Sequence, residues 1–448
     1  MKTEKITIKN ALTHGNAVTK ASALVMGIGC IAQKQAVKGI MALILEAAYI
    51  LFMVNTGLGR LAALPGLGSA EQEKVWNEAK QVYEYTAGDN SLLILLYGIV
   101  TLFVTAAFVL LWAVQLRQSY FLQISLEEGR HIRTFSEDIG ELFNSNLHIT
   151  LMSLPMLGII VFNIIPLVYM ISMAFTSYSK EGNHLILFDW IGFQNFGRVL
   201  NLGGNLGRQF WSVLAWTIVW AVVATVLNYI LGMMLAMVIN RKETKAKAFW
   251  RFCFVLSVAV PQFVSLLIMR TMLQQQGAIN VILQNMGLID SPLPFFQNAM
   301  WARVTVIIVN LWVGIPYTIL QITGILQNIP GELYEAAKMD GAGPVTIFWK
   351  ITLPYMLFVT MPYLITQFTG NINNFNVIYL LTKGDPTSVG DTAGKTDLLV
   401  TWLYKLTVDQ QYFNIGAVIG ILTFVVLAIV ALVTYRNSAS YKNEEAFM

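Results

Sequence analysis

The chain has 448 residues, of which 56% are hydrophobic and 12% are charged. Soluble domains carry about 25% charged residues, so this composition excludes an ordinary water-soluble protein. The net charge of +4 is too small to indicate a nucleic-acid partner. A lipid bilayer is the natural solvent for so much apolar side chain, and helices satisfy their own backbone hydrogen bonds there. The sequence therefore predicts an all-α, polytopic membrane protein.

Eight stretches are long and apolar enough to cross a bilayer, which takes about 20 residues per helix. In chain order, these predicted spans are residues 36–56, 91–114, 150–175, 211–239, 252–272, 303–325, 352–371 and 414–435. The apolar segment 21–35 is too short to span, and we interpret it as an interfacial or re-entrant segment leading into the first span.

The predicted spans form two groups. Residues 1–149 are predicted to be an N-terminal segment with two added transmembrane helices and a charged cytoplasmic linker. Residues 150–448 are predicted to form a six-helix core with a cytoplasmic loop at 326–354. Between the first two spans, the Glu-rich stretch 70–85 predicts a polar helix, and the charged segment 115–149 is also predicted to be helical.

Lysine and arginine counts predict the orientation, because cytoplasmic loops carry an excess of both residues. With both termini in the cytoplasm, the inside segments hold 18 of these residues, and the outside loops and span ends hold 11. The short basic stretch 241–251 contributes most clearly to this bias. The loops 57–90, 176–210 and 372–413 then lie outside. We predict a multi-pass protein of the cytoplasmic membrane with both termini inside.

No cluster of residues indicates an enzyme or a metal site. Cys30 and Cys253 lie far apart in sequence, without metal-type spacing, and nothing demands a disulfide. All four histidines lie outside the predicted core spans: His14, His131, His148 and His184. Only Glu46 falls well inside a predicted span; we expect it to pair with a polar group on a neighbouring helix, and a functional role is the alternative. The sequence assigns no catalytic residue, metal or cofactor.

The loop between the sixth and seventh spans reads as a short helix, a turn and a second helix. Gly341 is suited to end the first helix in a left-handed conformation, and Pro344 fits the first turn of the next. An ordinary capped loop would show the same pattern. The full spacing is less common: Glu-Ala-Ala, three residues, Gly, nine residues, Ile, one residue, Leu-Pro. The residues that meet it are Glu335, Ala336, Ala337, Gly341, Ile351, Leu353 and Pro354.

This spacing resembles the coupling motif of permease subunits in binding-protein-dependent ABC importers, whose helix docks into a cleft of the ATPase subunit. Further stretches resemble permease subunits of the maltose/maltodextrin (MalF) type, namely residues 259–261, 309–317, 371–375 and 396–400. The similarity is close over about 250–435. It implies the type I ABC importer permease fold and transport of an oligosaccharide, with maltose or maltodextrin expected. The implied partners are a second homologous permease, two ATPase subunits, an external sugar-binding protein and membrane lipid.

Five residues are candidates for sugar contact, because neutral sugars are bound by amides and aromatic faces rather than by ions. Asn310, Gly314 and Tyr317 share one helix face, and Asn371 and Asn374 lie three residues apart. Such residues also hold membrane helices together, and the pattern alone does not decide. The resemblance implies that all five match sugar-lining positions.

The chain departs from the maltose-type pattern in three ways. Gly370 stands where the relative has an aromatic residue, and Gln367 where it has a serine, so substrate length or linkage is expected to differ. The enteric type carries a folded external domain between the third and fourth spans, whereas only about 35 residues (176–210) separate them here.

The long loop 372–413 is predicted to contact the binding protein. Pro261 predicts either a broken fifth span or a tolerated irregularity.

The stretch 390–396 resembles a nucleotide-binding P-loop but fails its pattern. Three residues rather than four separate its glycines, and no strand precedes it, so this chain is not expected to bind ATP. Two other functions were open to an apolar chain. The coupling motif disfavours an ion-coupled secondary sugar transporter. The absence of clustered His, Cys or paired carboxylates disfavours a membrane enzyme.

Overall fold

A computed structural model of the chain describes residues 6–85, 87–241, 243–327 and 329–437. Four basic residues used in predicting the orientation lie outside these ranges: Lys2, Lys5, Lys242 and Lys442. The chain forms two compact units, Met1–Gly192 and Phe193–Met448. The third span belongs to the first of these units, and the predicted division into an N-terminal segment and a six-helix core stays a prediction.

The first unit is mainly helical. Its elements are α1 (Ile8–His14), α2 (Ala17–Ala21), α3 (Ile28–Ala32), α4 (Ala36–Phe52), α5 (Leu58–Ala63), β1 (Lys74–Asn77), β2 (Val82–Tyr85), α6 (Ser91–Glu127), α7 (Phe135–Phe143), α8 (Leu147–Ile159) and α9 (Ile165–Met173). The π-helical segments Met53–Gly57 and Ile160–Ile164 join α4 to α5 and α8 to α9. Each of these pairs is thus one continuous apolar span.

The segment 21–35, which the sequence indicated to be interfacial or re-entrant, packs against α6. The Ser22 hydroxyl accepts hydrogen bonds from the Gly29 N–H at 2.9 Å and from the Gln115 amide at 3.0 Å. A β-carbon at position 29 would lie 1.8 Å from the Ser119 hydroxyl, so only glycine allows this approach. Glu46 on α4 accepts the Met26 N–H at 2.8 Å. Its partner is therefore a backbone group just before α3, which is a structural use of an intramembrane carboxylate.

The predicted helix at 70–85 is wrong, because β1 and β2 form an antiparallel hairpin there. Val75, Trp76, Val82 and Tyr83 are β-branched or aromatic, and such side chains favour the pleated surface of a sheet. The Asn77 side-chain oxygen accepts the N–H groups of two turn residues at 3.0 and 3.2 Å, which closes the hairpin. These local preferences outweigh the helical tendency of the glutamates and lysines between them.

The predicted helical character of 115–149 is largely met. Helix α6 runs for 37 residues, well past the predicted end of the second span. After a break, α7 begins with a capping box in which Thr134 and Glu137 each satisfy the other's backbone N–H. The backbone N–H of Thr134 and the side chain of His131 lower the pKa of the Glu137 carboxyl.

The second unit contains the remaining spans. Its elements are α10 (Gln194–Leu200), α11 (Asn205–Asn240), α12 (Lys247–Ala259), α13 (Gln262–Met272), α14 (Ala278–Asn285), α15 (Ala299–Gln327), α16 (Gly331–Met339), α17 (Pro344–Ile347), α18 (Leu353–Ile372), α19 (Phe375–Leu381), α20 (Leu399–Tyr404) and α21 (Phe413–Asn437). The π-helical segment Phe348–Thr352 makes α17 and α18 continuous.

The prediction of about eight spans is confirmed. Within the described residues, seven helices are long and apolar enough to cross a membrane, and α12 with α13 makes an eighth if the pair is one span. That pair is bent by 88°. The break falls at Pro261, which has no N–H to continue the helical hydrogen bonds. Of the two interpretations of Pro261, the broken helix is the one observed.

Helix α11 is the central element of the second unit. Its Trp216 and Trp220 pack against Val306 and Val309 of α15 and against the buried side of α19. Further along α11, a second apolar cluster joins it to α15 and α18; its members include Tyr229, Met233, Ile319, Ile322 and Met356. The positions of the polar residues described below follow from these two contacts.

The segment 372–413 is folded around one buried carboxylate. Asp397 is fully buried and accepts the Gly394 N–H at 2.7 Å, the Thr401 hydroxyl at 2.9 Å and the Lys405 ammonium at 2.7 Å. Burial raises the pKa of Asp397, and Lys405 opposes that rise. Gly384, with φ at +88°, passes so close to Asp397 that a β-carbon would lie 2.1 Å from the carboxylate.

The backbone N–H groups of the P-loop-like stretch 390–396 are hydrogen-bonded to side chains of this chain. The N–H groups of Thr392 and Ala393 donate to the Gln209 side-chain oxygen at 2.8 Å, and the Gly394 N–H donates to Asp397. A P-loop turns such N–H groups toward phosphate. Here they are already bound by side chains of the chain itself, which agrees with the expectation that this stretch does not hold ATP.

Candidate functional site

The coupling motif forms the predicted helix, turn and second helix. Helix α16 ends at Met339, and the next residues close a Schellman turn: the Gly341 N–H donates to Lys338 at 3.0 Å, and the Ala342 N–H donates to Ala337 at 2.9 Å. Gly341 has φ at +74°, the left-handed conformation that the sequence predicted for it. Pro344 then occupies the first turn of α17.

The two halves of the motif lie in different surroundings. Ile351, Leu353 and Pro354 lie where α17 continues into α18, and Leu353 packs against the α11–α15–α18 cluster. Tyr334 of α16 reaches back to the Thr352 hydroxyl at 3.2 Å. These contacts anchor α16 to the membrane helices. Glu335 and Ala336 are exposed, and Ala337 is partly exposed, so the first half of the motif is open to another molecule.

Sequence reasoning missed the apolar residues around this helix. Met339 is 87% exposed and Val345 is 71% exposed, and Leu333 and Trp349 are also exposed. Exposed apolar side chains gathered beside one short helix indicate a protein-binding surface. The signal was present in the sequence, because Met339 and Val345 stand in a loop predicted to lie in the cytoplasm.

Four of the candidate sugar residues lie along a polar seam between α11, α15 and the end of α18, namely Asn310, Gly314, Asn371 and Asn374. Asn310 is buried, and its side-chain oxygen lies 3.5 Å from the Asn374 amide nitrogen. Asn374 also caps α19 by accepting the Val377 N–H at 3.3 Å. The structure therefore brings Asn310 and Asn374 together, as the predicted site requires.

Gly314 and Asn371 make contacts of another kind. A β-carbon at position 314 would lie 2.3 Å from the Asn228 amide nitrogen, so Gly314 admits the Asn228 side chain of α11 rather than open space. The Asn371 side-chain amide donates to the Thr225 hydroxyl at 2.9 Å. The backbone carbonyl of Asn371 accepts the indole N–H of Trp220 at 3.0 Å. In this conformation both residues hold α11 against its neighbours, as the helix-packing alternative expects.

Tyr317 and Gly370 lie at more open positions. Tyr317 is half exposed, and a β-carbon at position 370 would meet no atom within 4 Å. Gln367 instead faces a cavity of about 10 Å³ that Asn228 and Tyr363 also line. A space of that size holds about one water molecule, so no sugar ring fits in this cavity. Asn228 was missed by sequence reasoning, although a lone amide within an apolar span was a visible signal.

A larger cavity in the second unit does not suit a sugar. It measures about 740 Å³ and lies between α11, α18 and α21, with a wall of almost entirely apolar atoms. Sugar hydroxyls would lose their hydrogen bonds to water there without replacement. The polar seam and the exposed coupling helix remain the candidate functional features.

Spanning helices, a broken fifth span and an exposed coupling helix define the membrane-spanning subunit of a transporter. Residues 228–440 match the model of the family described as binding-protein-dependent transport system inner membrane component, and the chain belongs to that family. It is thus a permease subunit of the ABC importer type. This confirms the resemblance found in the sequence and decides against a secondary transporter.

Two curated relatives cover nearly the whole chain, and a third covers about half of it. It is 34% identical over 429 residues to the galactooligosaccharides transport system permease protein GanP of Bacillus subtilis, covering 94% of this chain and 97% of GanP. It is 33% identical over 434 residues to the maltodextrin permease MdxF of the same organism, covering 94% and 95%. Against MalF of Klebsiella aerogenes, identity is 38% over 252 residues, covering 55% and 48%.

Solved structures share the fold. A bacterial ABC transporter involved in the import of the acidic polysaccharide alginate contains a chain that matches with a TM-score of 0.54 at 21% identity. The match covers 67% of this chain and 98% of that one. At this level of identity, the likeness supports the permease fold and no more.

The Schellman turn makes the coupling helix testable at one residue. Gly341→Val forces a β-branched residue into the left-handed region, at a cost of about 1–2 kcal/mol or more. No atom lies within 4 Å of the new β-carbon, so the effect comes from the backbone alone. We expect reduced recovery of ATPase subunits with the purified variant and reduced uptake, at an unchanged amount in the membrane.

Gly343→Ala is the matched control, because Gly343 has φ at −74° and equally open surroundings. It should behave as the wild type. If Gly341→Val recovered as much ATPase as Gly343→Ala and the wild type, the turn would have no role in docking.

Proposed function

We propose that this chain moves an oligosaccharide across the cytoplasmic membrane as one of two homologous permease subunits. Two ATPase subunits on the cytoplasmic side supply the energy, and an external sugar-binding protein delivers the substrate. The observation that carries the proposal is α16, an exposed helix with a glycine-closed turn. The helix offers a docking surface to a separate ATPase. The backbone N–H groups of the P-loop-like stretch are already bound by side chains of this chain, so we propose that the ATP is hydrolysed in that partner.

Maltodextrin is the proposed substrate, because permeases named for maltodextrin or maltose recur among the relatives. A galactooligosaccharide is the second candidate, since GanP is similar over nearly its full length. Both are neutral chains of sugar rings, which amides and aromatic faces recognise. Gly370 and Gln367 depart from the maltose-type pattern. We propose that these two positions determine which sugar linkage or chain length the permease accepts.

A second permease is needed to complete the pathway. The cavity enclosed by this chain at Gln367 holds about one water molecule, so the sugar is proposed to pass between two permeases. Half-exposed Tyr317 would offer its ring to that space. The most apolar stretch of the third span has no buried residue within the described chain. Such a helix is covered either by lipid or by a partner.

The five candidate residues then divide by role. Tyr317, Asn310 and Asn374 are proposed to contact sugar hydroxyls when the seam opens. Gly314 and Asn371 are proposed to set the position of α11 beside them. The Asn310 amide nitrogen and the Asn228 amide oxygen find no hydrogen-bond partner among the described residues. A buried polar atom without a partner gains a hydrogen bond when a sugar hydroxyl comes within reach of it.

Reconstitution tests the proposed function. The purified chain would be placed in vesicles alone, or with a second permease, the ATPase and the binding protein. We expect uptake of labelled maltotriose only from the complete set with ATP, and a smaller uptake of a galactose trisaccharide. Uptake by the chain alone, driven by an ion gradient, would contradict the proposal. The reverse order of the two sugars would make the galactooligosaccharide the substrate.

A pair of variants separates sugar contact from helix packing. Tyr317→Ala should lower uptake several-fold at normal complex recovery, because it removes an exposed ring from the pathway. Trp312→Ala is the control, since Trp312 is also exposed but lies on the opposite face of α15. Asn371→Ala strands the Thr225 hydroxyl, so about 1 kcal/mol of stability is expected to be lost.

Uptake, thermal stability and complex yield would be measured side by side for these variants. If uptake by Tyr317→Ala fell only in proportion to the yield of complex, the residue would not contact sugar.

A further inference from the structure

The β1–β2 hairpin presents an aromatic face to solvent. Alternate residues of a strand point to opposite sides, and the register pairs Trp76 with Tyr83 and Lys74 with Tyr85. Trp76, Tyr83 and Tyr85 therefore share one side of the hairpin. They are 47%, 59% and 64% exposed. The face is formed by three large side chains, and within the described residues no third strand extends this sheet.

Contacts on both sides of the hairpin hold this face in shape. The Trp76 and Tyr83 rings meet edge to face at 4.9 Å, and the Lys74 ammonium lies 5.0 Å from the centre of the Tyr83 ring. On the opposite side, Glu84 accepts from the Asn77 amide at 2.8 Å and from Lys80 at 2.7 Å. A surface that is ordered before binding loses less entropy when a partner arrives.

The base of the hairpin is clamped as well. The Asp89 carboxylate accepts the N–H groups of Ser69 and Ala70 at 2.9 and 3.0 Å, and the Asp89 N–H donates to the Ala70 carbonyl at 2.8 Å. These backbone donors lower the pKa of Asp89. Asn90, the next residue, caps α6. A two-stranded hairpin is marginal in water by itself, and this clamp joins it to the start of the second span.

The charge of the hairpin identifies the kind of partner. Residues 69–90 hold five carboxylates and two lysines, a net charge of −3. Tryptophan and tyrosine also favour the membrane interface, but segments that bind a membrane surface are rich in Lys and Arg, whereas carboxylates outnumber lysines here. Tryptophan and tyrosine also dominate the energetic centres of protein interfaces. The hairpin thus fits a protein surface that has an apolar patch surrounded by basic residues.

We propose that the aromatic face of the hairpin is a docking site for the external sugar-binding protein. The inference rests on the proposed function and on the predicted outside position of loop 57–90. Among the proposed partners, the ATPases lie in the cytoplasm and the second permease lies in the membrane. The binding protein alone approaches an external loop from solution.

The test measures the binding-protein concentration that gives half-maximal ATP hydrolysis by the assembled transporter in lipid discs. The double variant Trp76→Ser, Tyr83→Ser should raise that concentration about tenfold or more, as loss of interface aromatics does. The maximal rate should stay unchanged, because α16 is untouched. Val82→Thr is the control: it changes an exposed residue on the opposite side of the hairpin and should leave the concentration unchanged.

A photoreactive residue identifies what lies against the face. Tyr85→p-benzoylphenylalanine should give an adduct with the sugar-loaded binding protein. Adducts only with lipid, or only with the second permease, would overturn the proposal. So would an unchanged half-stimulating concentration in the double variant when the wild type is stimulated normally. A wild-type transporter that does not respond to the binding protein at all would overturn the proposed function itself, and the hairpin proposal with it.

Discussion

The second unit depends on one constraint: a polar group that water cannot reach must find its partner within the protein. Two residues of helix α11 meet this constraint at one residue of α18, Asn371. Its Trp220 N–H donates to the Asn371 carbonyl, and its Thr225 hydroxyl accepts the Asn371 amide. Each such group, left unpaired, would cost about 1–3 kcal/mol. Because apolar surface alone does not distinguish neighbours in lipid, these hydrogen bonds set which helices pack together and in which register.

Gly314 completes this arrangement by admitting Asn228 between α11 and α15. The result is a seam in which Asn228 and Asn310 each keep one polar atom without a partner among the described residues, and the cavity beside Asn228 measures only about 10 Å³. A seam of this kind is stable when closed, yet it gains hydrogen bonds if it opens to hydroxyl groups. Below it, α17 and α18 form one continuous helix from the Pro344 turn to Asn371. The exposed coupling helix is therefore linked to the seam through one continuous helix, which contains a π-helical turn at Phe348–Thr352 and an internal Pro362.

Much of this could be predicted from the sequence, because the governing signals are local. Apolar runs predict the spans, and a glycine at the end of a helix, followed three residues later by Pro344, predicts the turn at Gly341. The hairpin at 74–85 was missed because alternating aromatic and β-branched residues outweigh the helical tendency of Glu and Lys. For Gly314 and Asn371, the sequence left sugar contact and helix packing open, and it could not give the partners of either residue. They depend on which residue of α11 lies opposite, and that register is a tertiary property.

The central claim is that this chain receives its energy through α16, and a cross-link from its exposed end tests it most directly. Met339→Cys would be introduced into the assembled transporter after Cys253, the exposed native thiol, is replaced by serine; Cys30 is buried. A short thiol cross-linker should join position 339 to the ATPase subunit, and nucleotide should change the yield. If position 339 formed no adduct with the ATPase in a complex that transports sugar, energy would enter the permease elsewhere and the account would be wrong.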